Sequence, residues 1–468
     1  MNLAVFNVHS NSINKLRLKS NGLSGTAGIS NVIQYYAIAY YWTLLTKCIL
    51  ALALLLVIKD YISMISIMQL RIGLVIFVAT IFLALLAVLA FGSKTAAESP
   101  AASDNERKIV VFKDGTSGAE RDAVLGNLQT KRIKRLHNAI DADVLENLNE
   151  SDIAALKQNP KVVRVDDDVT VFALRKPGGD PAPAAAQVLP WGIDRIDAEL
   201  VWPTGNTANP IKVGVIDTGI SLKHPDLAAN IKGGYNAIRP GKNANDDNGH
   251  GSHVAGIIAA VNNSSGVVGG APQADLYAIK VLNAGGSGYL SDVIEGIDWA
   301  IANGMQVTNM SLGTTADVQS MHDAVIRAKD ARIVQVAAAG NSGGAVNYPG
   351  AYPEVIAVAA TNSNNNVASW SSRGPQVDLA APGVGIYSTY KGTGYATLSG
   401  TSMASPHVAA VAALLLNTSV GSNDANGSGG WDPDEIQTRL QSTATDLGAG
   451  GFDPLYGWGL VNAWAAVQ

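Results

Sequence analysis

The 468-residue sequence has a single cysteine, Cys48, so no disulfide can form within the chain. Charged residues are also scarce, at 15%, and the formal net charge is −5. This balance lacks the basic excess with which nucleic-acid-binding proteins contact phosphates, so nucleic acid is not an expected partner. Because disulfides cannot stabilise an exported form of the chain, a bound metal ion is the first candidate for that role.

Nucleotide-binding glycine loops are missing as well. The chain contains 48 glycines, but neither GxGxxG nor GxxxxGK[ST] occurs. These loops let the backbone wrap around phosphate groups, so their absence disfavours a nucleotide-dependent oxidoreductase. Low charge and abundant glycine are more typical of an extracellular enzyme than of a disordered chain.

Long apolar runs are confined to the first hundred residues. Residues 72–92 form an uncharged run long enough to span a bilayer, and residues 64–97 are predicted to be a signal peptide, with a membrane anchor as the alternative. Met64 and Met68 stand just before this run, so either could be the true start. Residues 1–63 are then an upstream mis-start or a first membrane segment. Contact with a membrane is expected only through these segments.

The rest of the chain divides by composition. Residues 98–106 are a polar linker. Residues 107–175 alternate strand-like runs, KIVVFK and VVRVDDDVTVFAL, with helix-like runs, AERDAVLGNLQ and ESDIAALKQN, which predicts a small α+β domain. Residues 176–186 are rich in proline, glycine and alanine and predict an exposed linker that proteases cut easily. Residues 187–468 alternate short buried-strand runs with helical patterns, which predicts an α/β domain with a mostly parallel central sheet and helices on both faces.

Three stretches of the long domain carry side chains suited to catalysis. IKVGVID ends a β-rich run on Asp217, and open α/β sheets place their sites at the carboxyl ends of strands, although an Asp before Thr-Gly more often caps a turn. DDNGHGSHVAGIIAAV brings His250 and His253 to a helix start, but the glutamate of a zinc-binding HExxH pattern is missing. GTSMASPHVAA places Ser402 where a lone serine is usually an N-cap.

Together the three stretches predict a nucleophilic centre. A serine hydroxyl needs a base to take its proton, a neutral histidine is suited to that near pH 7, and a buried aspartate fixes the histidine tautomer. The chain order is Asp…His…Ser, which is the order in subtilisin and differs from the orders in chymotrypsin and the α/β-hydrolases. VIDTGI, HGSHVAG and GTSMASPHVA resemble the Asp, His and Ser boxes of the subtilisin family of serine proteases, with Ser252 where threonine is commoner.

The resemblance covers residues 186–468 and implies a subtilisin-like α/β fold and a serine endopeptidase acting on proteins and peptides through an acyl-enzyme. Asp217 would orient His250, His250 would be the base, and Ser402 the nucleophile. VAAAGNSGG resembles the family's oxyanion box, so Asn341 would donate to the oxyanion. The segments that resemble the walls of the substrate cleft contain Ser311, Leu312, Gly313, Ala338, Ala339 and Gly340. Their small residues and lack of acidic groups imply a pocket for large apolar side chains rather than for Lys or Arg.

A loop after the His box is the candidate for the stabilising ion. Residues 259–272, AAVNNSSGVVGGAP, are rich in amide and carbonyl oxygens, the hard ligands that Ca²⁺ prefers, although a plain loop would need no ligand. The loop resembles the calcium loop of the family without a gap from His250 onward. The resemblance implies that Ca²⁺ is held by the side chains of Gln187, Asp226 and Asn263 and by the carbonyls of Val261, Ser265 and Val267.

The α+β domain is interpreted by the same resemblance, because residues 107–175 resemble the family's propeptide. This implies a ferredoxin-like fold, an intramolecular inhibitor whose C-terminal tail occupies the active site, and self-processing near Ala185 or Ala186. The product is expected to be a secreted monomer, with a membrane-anchored maturation protease as the alternative. A non-catalytic pseudoprotease acting as a binding module would usually have lost a triad residue or Asn341, and none is missing.

Overall fold

The computed structural model describes residues 107–126, 128–176 and 186–468. The predictions made for segments before residue 107, and for most of the linker at 176–186, therefore lie outside the described residues. Within the described ranges, no helix combines the length and apolarity that a bilayer span requires.

Residues 107–167 form a small domain, here called the N-terminal subdomain. Its elements are β1 (Arg107–Phe112), α1 (Gly118–Leu125), β2 (Lys131–Leu136), β3 (Ala142–Glu146), α2 (Glu150–Gln158) and β4 (Val162–Asp167). The strands pair antiparallel in the order β2-β3-β1-β4. This is the βαββαβ arrangement of a ferredoxin-like domain, and it confirms the predicted fold.

Local signals explain the two helices of this subdomain. Ser117 and Glu120 form a capping box at the start of α1, each side chain accepting a backbone N–H of the other residue. Asn149 caps α2 by accepting from the N–H of Asp152. Both helices therefore begin where side-chain oxygens satisfy backbone donors that have no partner within the helix.

The sheet of the N-terminal subdomain is apolar on both faces. Val110 and Phe112 of β1 belong to the core shared with α1 and α2, whereas Ile109 and Val111 belong to a core shared with the long domain. Successive side chains of a strand point to opposite faces, so one strand supplies both cores. The second face of this sheet is thus covered by the long domain.

The long domain contains a seven-stranded parallel sheet. Its strands are β6 (Lys212–Asp217), β7 (Ile231–Asn236), β8 (Asp275–Lys280), β10 (Val307–Met310), β12 (Val334–Ala338), β13 (Ile356–Thr361) and β14 (Leu379–Pro382). They lie in the order β14-β13-β12-β10-β6-β8-β7, and every neighbouring pair is parallel. The strand order reverses between β6 and β10, which is the point where open α/β sheets bind ligands.

Helices cover both faces of this sheet, as predicted. The helices of the long domain are α3 (Trp191–Arg195), α4 (His250–Ala259), α5 (Leu290–Ala302), α6 (Gln319–Asp330), α7 (Thr401–Leu416), α8 (Pro433–Ser442) and α9 (Ala463–Val467). On one face α4 and α7 share a core with Val213 and Val215 of β6. On the other face α5 and α6 share a core with Ile216. The subtilisin-like α/β prediction is confirmed.

The central helix α7 is buried from residue 401 to residue 415. A helix that is apolar all round is stable only when protein surrounds it, and α7 packs against both the sheet and α4. Pro406 lies inside this helix, and because proline has no N–H, the carbonyl of Ser402 loses its usual helical donor. That carbonyl accepts instead from the hydroxyl of Ser311 at 2.9 Å.

The predicted strand VVRVDDDVTVFAL is two strands in the structure, β4 and β5 (Thr170–Ala173). The break falls at Asp168, whose buried carboxylate pairs with Arg107 at 2.8 Å. The same carboxylate accepts from the N–H and the hydroxyl of Ser291, both at 2.8 Å. These contacts lie far away in sequence, so the alternating pattern gave no sign of the break.

β5 leaves the N-terminal subdomain and joins a three-stranded sheet on the long domain. It lies between β9 (Ser287–Tyr289) and β11 (Leu312–Gly313), antiparallel to both. The two further strands, β15 (Ile386–Thr389) and β16 (Tyr395–Leu398), form a hairpin-like pair. The position of β5 brings the residues that follow it to the carboxyl edge of the central sheet.

Candidate active site

Asp217 is the last residue of β6 and lies at the reversal of strand order described above. Its carboxylate is fully buried and accepts from the N–H of Thr218 at 2.7 Å. A buried carboxylate is costly unless it is paired, and the partner is the imidazole of His250.

His250 is the first residue of α4, and its ring is also fully buried. Its Nδ1 lies 2.8 and 2.9 Å from the two carboxylate oxygens of Asp217. A carboxylate only accepts, so Nδ1 carries a hydrogen, and in the neutral ring Nε2 then keeps its lone pair. Nε2 is buried and has no hydrogen-bond partner among the described residues. The pair therefore presents an oriented imidazole with a free proton acceptor.

Asp246 holds the loop that carries His250, and sequence reasoning did not identify it. One of its oxygens accepts from the hydroxyl of Thr218 at 2.9 Å and from the N–H of Gly249 at 2.8 Å. The other accepts from the hydroxyl of Ser252 at 2.6 Å. The serine that replaces the commoner threonine in the His box thus still binds Asp246. The two adjacent aspartates in DDNGHG were the only feature of the sequence that could have indicated this role of Asp246.

Ser402 is the second residue of α7 and is fully buried. Its hydroxyl donates to the carbonyl of Ser311 at 2.8 Å, not to Nε2 of His250. Its backbone N–H points at the carbonyl oxygen of Leu174, at 3.3 Å. Leu174 directly follows β5, so the end of this strand contacts the backbone of Ser402.

Asn341 supplies a second donor to the same oxygen. Its Nδ2 donates to the carbonyl of Leu174 at 2.5 Å, while its Oδ1 accepts from the N–H of Thr401 at 2.9 Å and from the hydroxyl at 3.1 Å. The Oδ1 contacts decide the amide orientation, because only an oxygen accepts from an N–H. Thr401, which sequence reasoning also missed, therefore aims Asn341 at the carbonyl.

Of the predicted cleft walls, residues 311–313 contact β5 and Leu174. Ser311 accepts the N–H of Leu174 at 3.1 Å through its carbonyl, and Leu312 and Gly313 pair with β5. A Cβ on Gly313 would come within 3.0 Å of a methyl carbon of Leu174, so this glycine keeps room for the leucine side chain. Ala338, Ala339 and Gly340 are buried at the end of β12, and the N–H of Gly340 donates to the Thr401 hydroxyl at 3.0 Å.

The bond predicted to be cut, near Ala185 or Ala186, is not the one that lies at Ser402. Residues 177–185 lie outside the described residues, and Ala186 pairs with Ser265 in the loop 259–272. The carbonyl between the two N–H donors is that of Leu174.

The six residues predicted to hold Ca²⁺ come together around that loop. Asp226 accepts from Asn263 Nδ2 at 2.9 Å, from the N–H of Val267 at 3.0 Å and from the Tyr395 hydroxyl at 2.8 Å. The Gln187 side chain accepts from the N–H of Asn263 at 2.5 Å. The remaining predicted ligands of the loop are Val261 and Ser265. Among the described residues no group of three or more His, Cys, Asp or Glu side chains is arranged to hold a metal.

The other two histidines of the motifs have structural contacts. His253 Nε2 lies 3.1 and 3.0 Å from the carbonyls of Ile386 and Ala396, and burial lowers its pKa to about 3. His407 Nδ1 lies 2.7 Å from the carbonyl of Met403, and burial lowers its pKa to about 4. Both rings are therefore neutral near pH 7, and neither contacts Ser402.

Two N–H donors, one of them from Ser402, meet on one carbonyl oxygen, and a buried aspartate orients the imidazole of His250. These are the groups that acyl transfer by a serine requires. This chemistry places the protein among the serine hydrolases. The comparisons with known proteins narrow the class. The model of the subtilase family matches residues 208–459, more than half of the chain.

Individual relatives agree with the family match. An alkaline protease of Alkalihalobacillus alcalophilus is 42% identical over 394 residues, covering 82% of this chain and 97% of the relative. Subtilisin Savinase of Lederbergia lenta is 49% identical over 284 residues, covering 60% of this chain and all of the relative. The minor extracellular protease Epr of Bacillus subtilis (strain 168) is 39% identical over 375 residues, covering 77% of this chain and 54% of the relative. The chain belongs to the subtilase family and is a serine endopeptidase.

Proposed function

We propose that Asp217, His250 and Ser402 are the catalytic triad of this endopeptidase. Ser402 Oγ attacks the carbonyl carbon of the scissile bond, and His250 Nε2 takes the hydroxyl proton and later gives it to the leaving amine. Asp217 stabilises the imidazolium that forms between these two transfers. The negative oxygen of the tetrahedral intermediate is held by Asn341 Nδ2 and the N–H of Ser402. Water then hydrolyses the acyl-enzyme by the same route.

The enzyme is made as a zymogen that its own N-terminal subdomain inhibits. The observation that carries this proposal is the Leu174 carbonyl, which accepts from both Asn341 and Ser402. β5 fills the cleft as a strand paired on both edges. A substrate strand needs the same backbone groups, so it cannot bind until this segment leaves.

The electrostatics of the interface support an inhibitor that binds tightly. Lys134 of β2 pairs with Asp292 and Glu295 of α5 and also donates to the carbonyl of Ala237 at 2.7 Å. The Lys134 side chain is only 10% exposed. Charge pairs that are largely desolvated contribute more to binding than pairs at an exposed rim.

The preferred substrates have a large apolar side chain before the cut bond. Leu174 occupies that position in the structure, beside Gly313. The cleft segments 309–313 and 338–340 contain no acidic side chain that would pair with Lys or Arg.

Ca²⁺ stabilises the long domain through the loop 259–272. The donors gathered there are one carboxylate, side-chain amides and backbone carbonyls, which are the oxygen ligands that Ca²⁺ takes. A glycine at position 266 is needed for these oxygen atoms to come together. It has φ +69°, and a Cβ at that position would lie 2.1 Å from Asp226 Oδ2 and 2.2 Å from the Tyr395 hydroxyl. Gln187, Asp226 and Asn263 would hold the ion by side chain, with the carbonyls of Val261, Ser265 and Val267. The bound ion would tie residue 187 to the loop.

The protein acts outside the cell as a monomer. The apolar segment at 72–92 and the absence of internal disulfide capacity are compatible with export of a chain stabilised by an ion. One relative is by name an extracellular protease. Retention through the same segment is the alternative.

A mechanism-based serine-hydrolase probe tests the proposed function. The mature enzyme is expected to be labelled covalently on Ser402, and Ser402→Ala is expected to remain unlabelled. The zymogen should be labelled far more slowly than the mature form, because β5 and Leu174 cover the cleft. Equal labelling of the two forms would reject inhibition by the N-terminal subdomain, and no labelling of the mature enzyme would reject the triad.

A further inference from the structure

The uncut chain is held on both sides of one particular bond at Ser402. Before that bond, the N–H of Leu174 donates to the carbonyl of Ser311 at 3.1 Å. After it, the N–H of Lys176 donates to the carbonyl of Ser399 at 2.8 Å, and the two residues form an antiparallel bridge. The bond between Leu174 and Arg175 is therefore fixed across the serine, as a substrate bond would be.

The surrounding backbone fits this carbonyl closely. A Cβ on Gly400 would lie 2.6 Å from the Leu174 oxygen and 3.0 Å from Cα of Arg175. Only a glycine at position 400 leaves room for residues 174 and 175 to lie where they do. Together with the two N–H donors on the same oxygen, this contact assigns the reacting position to Leu174.

The start of the long domain is already bound elsewhere in the same uncut chain. The N–H of Gln187 donates to the carbonyl of Ser264 at 3.1 Å, and the N–H of Val188 donates to the carbonyl of Gly266 at 2.9 Å. Ala186 cannot lie at Ser402 while these contacts hold. Ten residue steps separate Lys176 from Ala186 and can span up to about 33 Å, so the chain length allows both ends to be bound at once.

We propose that maturation needs two cuts, and that the first is between Leu174 and Arg175 rather than near Ala186. This inference rests on the proposed function. Ser402 Oγ attacks the Leu174 carbonyl carbon and gives its proton to His250, which passes it to the Arg175 nitrogen as the C–N bond breaks. Water then releases the Leu174 carboxylate. The intermediate begins at Arg175 and carries residues 175–185 as an extension.

The second cut removes this extension at Ala185 or Ala186. We expect another molecule to make it, because the contacts of residues 186–188 with the loop 259–272 prevent this part of the chain from reaching Ser402 of the same molecule, whereas the preceding part of the extension is free to enter a second cleft once the first cut is made. The first cut is intramolecular and independent of protein concentration, whereas the second is bimolecular. A further consequence is that the Gln187 contact with the loop exists before any cut, so the first cut is not needed to form it.

Intact-mass measurement and N-terminal sequencing during maturation of the purified full chain test the order of cuts. The first new N-terminus is expected at Arg175, and a later one at Ala186 or Gln187 that appears faster at higher protein concentration. A first product beginning at Ala186 or Gln187, with no species beginning at Arg175, would overturn the proposal.

Two variants before the cut bond sharpen the test. Leu174→Asp places a charge in an apolar pocket and is expected to slow the first cut by on the order of 100-fold. Val163→Asp is the matched control, because Val163 in β4 is 54% exposed and lies outside the strand that fills the cleft, and it should leave that rate unchanged. Equal rates for the two variants would contradict the assignment. Mature enzyme added to the Leu174→Asp chain should cut it near Ala185 and yield active protease, which shows that the variant is folded.

Ser402→Ala separates this inference from the proposed function. If the Ser402→Ala chain matures alone at the wild-type rate, self-processing is wrong. If maturation requires Ser402 but starts at another bond, only the order and place of the cuts are wrong.

Discussion

The side-chain amide of Asn341 donates to the carbonyl oxygen of Leu174 at 2.5 Å, and the other end of that amide is fixed by Thr401. The donor is therefore aimed before any substrate arrives. Preorganised donors stabilise a transition state more than flexible ones, because no reorganisation is needed as charge develops.

Replacing Asn341 with Ala should lower kcat by on the order of 10²–10³ with little change in KM, a magnitude taken from the corresponding donor of subtilisin. Thr401→Val should cause a smaller loss, because the backbone N–H of residue 401 still fixes the amide. Steady-state kinetics on a peptide with Leu before the cut bond measures both. An unchanged kcat in Asn341→Ala would remove this residue from the mechanism.

Asp217→Asn should lower kcat by on the order of 10⁴, as the same change does in a chymotrypsin-type triad. An amide N–H facing His250 would favour the tautomer with hydrogen on Nε2, which cannot take the serine proton. Melting temperature and circular dichroism should show that the variant is folded. A loss of less than about tenfold would argue against the Asp217–His250 pair as the source of the base.

Calcium should raise the melting temperature of the uncut Ser402→Ala chain by several degrees relative to EDTA, since a ligand of the folded state stabilises it by mass action. Gly266→Ala should abolish this difference, because its Cβ would collide with the Asp226 carboxylate. Gly304→Ala is the matched control. It also has positive φ, at +61°, but has no atom within 4 Å of the added Cβ. Identical melting of the parent chain with and without calcium would exclude the site.

Lys134→Glu should shorten the delay between the first cut and the appearance of protease activity by about tenfold or more, because it places like charges against Asp292 and Glu295. Lys131→Glu is the control, since that side chain is 70% exposed and pairs within the N-terminal subdomain. Added salt should shorten this delay more in the parent than in Lys134→Glu. The same delay in all three proteins would show that this contact does not retain the inhibitor.

Asp378 should make the folded state less stable as the pH rises. Burial raises the pKa of this carboxyl from 3.8 to about 6, so the folded chain binds the proton more tightly than the unfolded chain. Its contribution is fully present below pH 3.8 and is lost as the pH rises to about 6. In the Ser402→Ala background, Asp378→Asn should reduce the fall in unfolding free energy between pH 4 and pH 7 by on the order of 2 kcal/mol.

Parallel stability curves for the parent and Asp378→Asn would show that Asp378 does not titrate in this range.

The sequence predicted the site residues more fully than their contacts. Asp217, His250 and Ser402 were predicted because each lies in a short motif of its own, and the parallel sheet was visible as alternating strand and helix patterns. Asp246 and Thr401 were missed because their role depends on contacts across 28 and 60 positions, with Thr218 and Asn341. Short motifs do not encode such pairs.

The sequence also did not show which residue of the segment after β4 would lie at Ser402. Nothing in VTVFAL marks Leu174 as the residue at the serine. That choice follows from where β4 ends, which depends on the buried contact of Asp168 with Ser291. The strands β2 and β3 of the N-terminal subdomain were not recognised individually either, because KRIKRL carries alternate charges that pair with other residues of the fold, such as Lys134 with α5.

The slot between β9 and β11 makes cleavage depend on the conformation of the substrate. A polypeptide enters it only as a strand that offers both edges of its backbone, and a segment already paired within a sheet or wound in a helix has no free edges to offer. The rate at which a folded protein is cut is then set by how often it opens locally, not by how often the enzyme meets it. We therefore expect loops and chain ends of damaged or heated proteins to be cut first, and well-folded proteins in the same solution to be cut slowly.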